Sequence, residues 1–334
     1  MLNLSDSQAA EVGQRGFVHV PNFLDQGEIE YLLRDFQRAV DAAPKNDYFR
    51  SVSGEVLRQV WPGCMEVAKT LQRVTGIEVD GVYDGGNYFA NYRARPNPKP
   101  KAGGVLFPWH QDHENYYVSQ NAFHYLNFYI PIKKPDPTKS NLTVIPFDRL
   151  QERSPRASEL LLRRGATRIV RSLLGGWAIK DDDLGGKLCQ LDCDPSEIEV
   201  TPHLQAGDLL LLRGDVLHRT QDAETQRVAP SFRMLNSKTN VSRKRLASGG
   251  IVKAYHMFGR PAEYREIFRF IQRTRKDTVT FGELGRYLAE QRERGLPACS
   301  RTSFASTLFW EKFRISLLGH YGKAFVKAMK PGNV

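Results

Sequence analysis

Three side chains of metal-ligand type fall within four positions of the segment "FPWHQDHENYYV" (107–118): His110, Asp112 and His113. In an extended backbone, successive side chains alternate between faces. His110 and Asp112 then project to one side and His113 to the other. An H-x-D pair on a strand offers one imidazole and one carboxylate to a single ion, with His113 left to the outer face or behind the ligands. Three-residue matches arise by chance in many proteins, so the pair gains meaning only if a third ligand comes from elsewhere. The segment "GDLLLLRGDVLHRTQDAETQRVAPSFRMLN" (207–236) supplies one. A buried apolar strand leads into a hairpin bearing His218, and a second strand places Arg227, Ala229, Ser231 and Arg233 on one face. Two histidines and one carboxylate leave three octahedral positions of a ferrous ion open, room for a co-substrate and dioxygen together. A closed four-ligand zinc site leaves no such room. An arginine nearby offers a planar fork to the far carboxylate of a dicarboxylic acid chelating the ion.

Elements able to position these residues can be read on either side of them. "GFVHVPNFLDQGEIEYLLRDFQRAV" (16–40) opens with a two-residue alternation and changes to a helical stripe of Ile29, Leu32, Leu33, Phe36 and Val40, with Asp25 as the N-cap. A second helix is expected over 62–75. From residue 81 the texture turns to β, with strands expected at 123–132, 141–146, 196–201, 208–212, 216–220 and 227–236. Residues 151–190 read as a mixed insertion with a short helix over 157–164. Many short strands with hairpin turns point to a sandwich or barrel. The pattern returns to helix from residue 260 onward.

Composition sets outer bounds. With 334 residues, 41% hydrophobic and 25% charged, the chain is an ordinary candidate for a buried core. No apolar run approaches the ~18 residues of a membrane span, and the N-terminal stretch lacks the pattern of a secretory signal. Cys64, Cys189, Cys193 and Cys299 are too scattered for a disulfide framework or a zinc site, so reduced thiols and a cytoplasmic location are expected. The net charge of +11 is concentrated late: residues 251–334 carry sixteen Lys and Arg against seven Asp and Glu. Such charges most often solvate helix faces, and no nucleic-acid-binding signature accompanies them. The acidic run "KDDDLGG" (180–186) reads as a solvated loop. Tyr88, Asn91 and Arg93, on the strand before the H-x-D segment, are candidates to line a pocket, although Tyr88 also fits an ordinary strand aromatic.

Taken in order, these segments resemble the phytanoyl-CoA dioxygenase-like family of Fe(II)/2-oxoglutarate oxygenases over roughly residues 14–240. "GFVHVPNFLDQGEIEYLL", "WHQDHENYY", "FYIPIKKPDPTKSNLTVIP" and "AGDLLLLRGDVLHRTQDAETQRVAPSFR" carry the likeness. The resemblance implies a mainly β fold with flanking helices: a double-stranded β-helix (a cupin-like jelly roll) over 1–245, with a basic helical extension over 246–334. It implies His110, Asp112 and His218 as catalytic iron ligands and Arg227 as the anchor of 2-oxoglutarate. Arg233, on the same face, is the rival for that anchor; with Arg227 in the role, Arg233 is free to bind substrate or a structural acid. Phe128 falls near a position where many members put a tryptophan beside the co-substrate, and its neighbour Asn127 is the alternative inward-pointing residue. The family usually continues "IP" with Gly-Ser-His, whereas "IPFDR" stands here, so the loop at 147–150 departs from the pattern.

The implied activity is oxidation of a C–H bond of a small metabolite with dioxygen, giving hydroxylation, desaturation or cyclisation and releasing succinate and carbon dioxide. Asp112 argues against halogenation, because halogenating relatives have a small residue at that position. The basic C-terminal helices are expected to contribute a lid or pocket wall and to favour an anionic or polar substrate. The rival readings are a catalytically silent small-molecule binding barrel and a nucleic-acid-associated oxygenase using the basic C-terminus.

Overall fold

The computed structural model describes residues 3–42, 49–82, 86–90, 107–172, 175–250, 252–254, 257 and 261–293. Helix α1 (Asp6–Arg15) starts at a Ser5 capping box and ends at Gly16 in the left-handed region, from which β1 (Phe17–Val20) departs. Helix α2 (Gln26–Ala42) follows, and its expected Asp25 cap is present. Asp25 Oδ1 accepts from the Glu28 N–H at 2.8 Å, and Glu28 Oε2 accepts from the Asp25 N–H at 2.9 Å. That reciprocal pair satisfies two otherwise orphaned donors. After β2 (Phe49–Ser51), helix α3 runs over Gly54–Thr75. It begins well before the expected residue 62: Ser53 caps it, and Pro62 is accommodated inside the helix.

Strands β3 (Gly81–Val82) and β4 (Asn87–Ala90) precede the short helix α4 (Glu114–Ser119) and strand β5 (Tyr125–Tyr129). Next come β6 (Leu142–Ile145), helices α5 (Phe147–Arg153) and α6 (Pro155–Leu161), and the antiparallel set β7 (Thr167–Arg171), β8 (Trp177–Asp181) and β9 (Lys187–Leu191). The strand expected at 196–201 is mostly the short helix α7 (Pro195–Ile198). "DPSE" there forms a capping box between Asp194 and Glu197, and only Val200 bridges to Val144. Strands β10 (Leu209–Arg213), β11 (Leu217–Thr220) and β12 (Val228–Leu235) complete the barrel segments.

The main sheet has the order β1-β10-β5-β12-β4-β2, with β3 beside β12, and these neighbours pair antiparallel. Its two faces separate by strand period. Leu126, Phe128, Leu211 and Phe232 pack against Leu32, Phe36, Val67 and Leu71 of α2 and α3. Tyr129, Leu210, Leu212 and Ala229 face the other way, toward Val144 and Val216. There the second layer lies: β6 pairs β11, β11 meets His110, and His110 meets β7 of the three-stranded set. Two layers around an apolar and polar interior, with helices on the outer face of one layer, make the jelly-roll core that the strand texture suggested.

Beyond the barrel, β13 (Asn240–Ser242) pairs β14 (Thr278–Thr280), and helices α8 (Arg243–Ala247), α9 (Pro261–Thr274) and α10 (Phe281–Glu293) surround them. Leu246, Met257, Ile267, Ile271 and Leu284 share one core with Val118, Tyr125 and Leu235 of the barrel. A boundary at 245 falls inside α8, and the helical unit joins the barrel through a common apolar cluster. Cys64, Cys189 and Cys193 are buried free thiols, while Cys299 lies outside the described residues. No helix among the described residues is long and apolar enough to cross a membrane.

Candidate metal centre

The H-x-D segment and the distal histidine strand are direct neighbours. The His110 N–H donates to the His218 carbonyl and the His218 N–H donates to the His110 carbonyl, each at 2.9 Å. This mutual pair brings the two rings together, with centroids 4.4 Å apart and planes tilted by 51°. His110 Nδ1 lies 2.7 Å from the Pro108 carbonyl and His218 Nδ1 lies 3.0 Å from the Val216 carbonyl. A carbonyl can only accept, so both Nδ1 atoms carry the proton and both Nε2 lone pairs are left for a ligand, as in metal-binding histidines. Asp112 Oδ1 lies 3.7 Å from His218 Nε2. One ligand atom from each of His110, Asp112 and His218 falls within 4.8 Å of the others, the spacing of a shared ion. The donor set, two imidazoles and one carboxylate, fits a divalent transition metal with open positions.

Electrostatics holds these groups in ligand form. Burial, then the neighbouring His218 and His113, push His110 down to about 3, so it is neutral at pH 7. Burial raises Asp112, but Arg233, His218, His110 and the Tyr125 hydroxyl outweigh it and bring the carboxyl to about 2. Tyr125 O–H donates to Asp112 Oδ2, and Arg233 Nε stands 3.8 Å from the same oxygen.

The residue between the ligands points away. Gln111 Nε2 donates to the Asp215 and Leu161 carbonyls at 2.6 and 3.2 Å, and Thr167 Oγ1 donates to Gln111 Oε1 at 2.8 Å. These contacts pin the segment from behind. His113 is the first residue of the turn into α4, with Nε2 3.1 Å from Asp182 Oδ2, so it stands behind the ligands as its opposite parity implied. Asp182 also accepts from Arg168 Nε at 3.0 Å.

The acidic run is therefore no solvated loop. Asp181, Asp182 and Asp183 are all buried, each against its own cation: Arg164 at 2.6 Å, Arg168 at 2.9 Å and Lys253 at 2.7 Å. The partners lie on other elements, which is why the run alone reads as surface.

On the main sheet, strand period decides the remaining candidates. Phe128 stands in register with Leu211 and Phe232 on the helix-packed face, fully buried, and it cannot reach the interior. Asn127 does face inward, its Oδ1 accepting from Ser231 Oγ at 2.7 Å. Tyr88 is corrected in the same way. Its hydroxyl donates toward Asp35 Oδ2 at 2.8 Å beneath α2, and it is Phe89 that lies under Arg233, 5.9 Å from ring centroid to Cζ. Asn91 and Arg93 lie outside the described residues.

Arg227 and Arg233 share the interior side but differ in position. Arg233 is beside Asp112, while Arg227 is 2% exposed further along, its Nη1 donating to the Ser140 carbonyl at 3.2 Å and its Cζ 5.7 Å from the Tyr129 ring centre. Tyr125, Asn127 and Tyr129 thus mark a line of polar groups along β5 from the metal ligands toward Arg227. Lys134 lies close to Arg227, and burial together with that guanidinium pushes its ammonium down to about 8. Sequence reasoning missed Tyr125 and Tyr129, although both have the parity of Asn127. It also missed Lys134, which nothing in the local pattern distinguishes.

A family model for phytanoyl-CoA dioxygenase (PhyH) matches residues 13–230. The chain belongs to that family. The matched span holds all three ligands and Arg227 and ends within β12, so most of the C-terminal helical unit lies beyond it. A search of curated proteins finds no match. Among solved structures the chain is similar to the non-heme alpha ketoglutarate dependent carbocyclase SnoK from nogalamycin biosynthesis, with 14% identity, a TM-score of 0.49, and 71% of this chain and 86% of that chain covered. It is similar to EctD from S. alaskensis with 2-oxoglutarate and 5-hydroxyectoine, with 15% identity, a TM-score of 0.46, and 71% and 78% covered. HygX from Streptomyces hygroscopicus with nickel and 2-oxoglutarate bound gives 12% identity, a TM-score of 0.44, and 71% and 88% covered.

Proposed function

We propose that this phytanoyl-CoA dioxygenase family member is an Fe(II)- and 2-oxoglutarate-dependent dioxygenase that hydroxylates a C–H bond of a small anionic or polar metabolite, with desaturation or cyclisation as outcomes of the same start. The observation that carries this reading is the convergence of His110, Asp112 and His218, whose three ligand atoms lie within 4.8 Å of one another. Bound iron with 2-oxoglutarate and dioxygen supplies the oxidising power, with succinate and carbon dioxide as by-products. The chain's own residues bind and orient. His110 and His218 present Nε2 because their Nδ1 protons are engaged by backbone carbonyls. Arg227 receives the far carboxylate of 2-oxoglutarate through its planar fork, and Lys134 adds a second positive charge at that end. Asp112 occupies the position a halide would need, which favours oxygen insertion over halogenation.

The test is succinate formation from 2-oxoglutarate by iron-loaded protein against a panel of polar metabolites. Substrate-stimulated turnover that disappears in His110→Ala supports the reading. Arg227→Met is expected to raise the KM for 2-oxoglutarate at least tenfold while metal affinity stays unchanged, the signature of lost binding rather than a lost ligand. Metal-loaded protein that consumes no 2-oxoglutarate under any condition would return the chain to a binding role.

A further inference from the structure

We propose that Tyr125 is a positioning residue for the metal, and that through it the C-terminal helical unit tunes metal affinity. This rests on the metal-site reading above and adds a residue that the ligand set does not contain. The Tyr125 hydroxyl donates to Asp112 Oδ2, and Arg233 Nε stands 3.8 Å from that same oxygen. The other oxygen, Oδ1, is the one 3.7 Å from His218 Nε2. One hydrogen-bond donor and one guanidinium charge on the same carboxylate oxygen orient the group and leave the second oxygen to face the histidines. Asp112 would thereby offer a bound metal a single oxygen. Groups that hydrogen-bond a metal ligand set its orientation and its basicity.

The seat of the Tyr125 ring is unusual for such a group. The residue is 2% exposed and belongs to the cluster that joins Val118 and Leu235 of the barrel to Leu246, Ile267, Ile271 and Leu284 of the helical unit. On the opposite side the chain is shaped to it. A Cβ placed on Gly214 would lie 1.8 Å from Tyr125 Cδ1, so only glycine lets the ring approach, and Gly214 N–H donates to the Tyr125 carbonyl at 2.9 Å. The Tyr125 ring thus belongs to a cluster shared with the helical unit, most of which lies beyond the matched family span, while its hydroxyl reaches a metal-ligand candidate.

The experiment is titration of metal-free, full-length protein with Co(II), followed by calorimetry and by the visible ligand-field spectrum. Tyr125→Phe keeps the ring, so metal-free melting is expected to match the parent. Its Co(II) dissociation constant is expected to rise roughly tenfold or more, with an altered visible spectrum as the carboxylate gains freedom to bind through both oxygens. Gly214→Ala, which displaces the ring while retaining the hydroxyl, is expected to weaken Co(II) in the same direction. Unchanged affinity and spectrum in Tyr125→Phe would overturn the inference while leaving the metal site intact. Unchanged Co(II) binding in Asp112→Ala would instead overturn the metal-site reading itself, and the inference with it.

Discussion

At the residue scale, the candidate site depends on charges kept in the form a metal ligand needs. His110 is held neutral chiefly by burial, and Asp112 is kept ionised against its own burial, chiefly by Arg233. Lys134 is the exception that carries a stability signature away from the ligands. Its folded-state value, about 8, lies below the ordinary lysine value of 10.5. The folded protein therefore binds fewer protons than the unfolded chain between those values, so stability rises with pH across that window. Below about pH 8 the charged ammonium opposes folding in full. In Lys134→Gln this increment is expected to vanish, which urea midpoints at pH 7.5 and 10 compared with the parent would show.

At the element scale, strand period separates residues that neighbour one another in sequence. Asn127 and Phe128 differ by one position and by which side of the sheet they serve. Phe128 is fully buried against the helices, so Phe128→Ala is expected to destabilise the fold by about 3–5 kcal/mol. Metal affinity of the folded fraction should not change. Equilibrium unfolding and a Ni(II) titration read the two effects separately. A loss of metal binding in the still-folded variant would mean that the inward and outward faces of β5 are assigned wrongly.

At the scale of the whole molecule, the helical unit is attached by an apolar cluster and by a buried charge pair. Lys253 is fully buried with Nζ 2.7 Å from Asp183 Oδ1 and 2.9 Å from the Arg245 carbonyl. The segment before it is fitted to the same turn: the Gly250 N–H donates to the Asp183 carbonyl, and a Cβ on Gly249 would come within 2.6 Å of that oxygen. Burial lowers the Lys253 ammonium's pKa, with Asp183 opposing the shift. Removing one partner leaves the other charge buried alone. Lys253→Ala is therefore expected to cost about 3–5 kcal/mol, while Lys253→Met combined with Asp183→Leu recovers most of it. Urea unfolding of the two variants decides this, and equal losses in both would show that the pair's charge is not what joins the units.

The parity of the H-x-D pair and the amphipathic α2 were legible in the residues alone, because each follows from a short period: two for His110 and Asp112, near 3.6 for Ile29, Leu32 and Phe36. The choice of His218 as their partner, 108 positions later, rested on the family resemblance, because His19 and His124 also fall on expected strands. That Tyr125 reaches Asp112 Oδ2 from a cluster shared with the helical unit became visible only in the fold. The burial of Asp181, Asp182 and Asp183 depended on cations that the fold brings from the turn after α6, from β7 and from the helical unit. A charge shows its exposed habit in sequence and reveals burial only when its partner arrives. Local periodicity determined where side chains could point; the packing of distant elements decided which of those directions were occupied, and by whom.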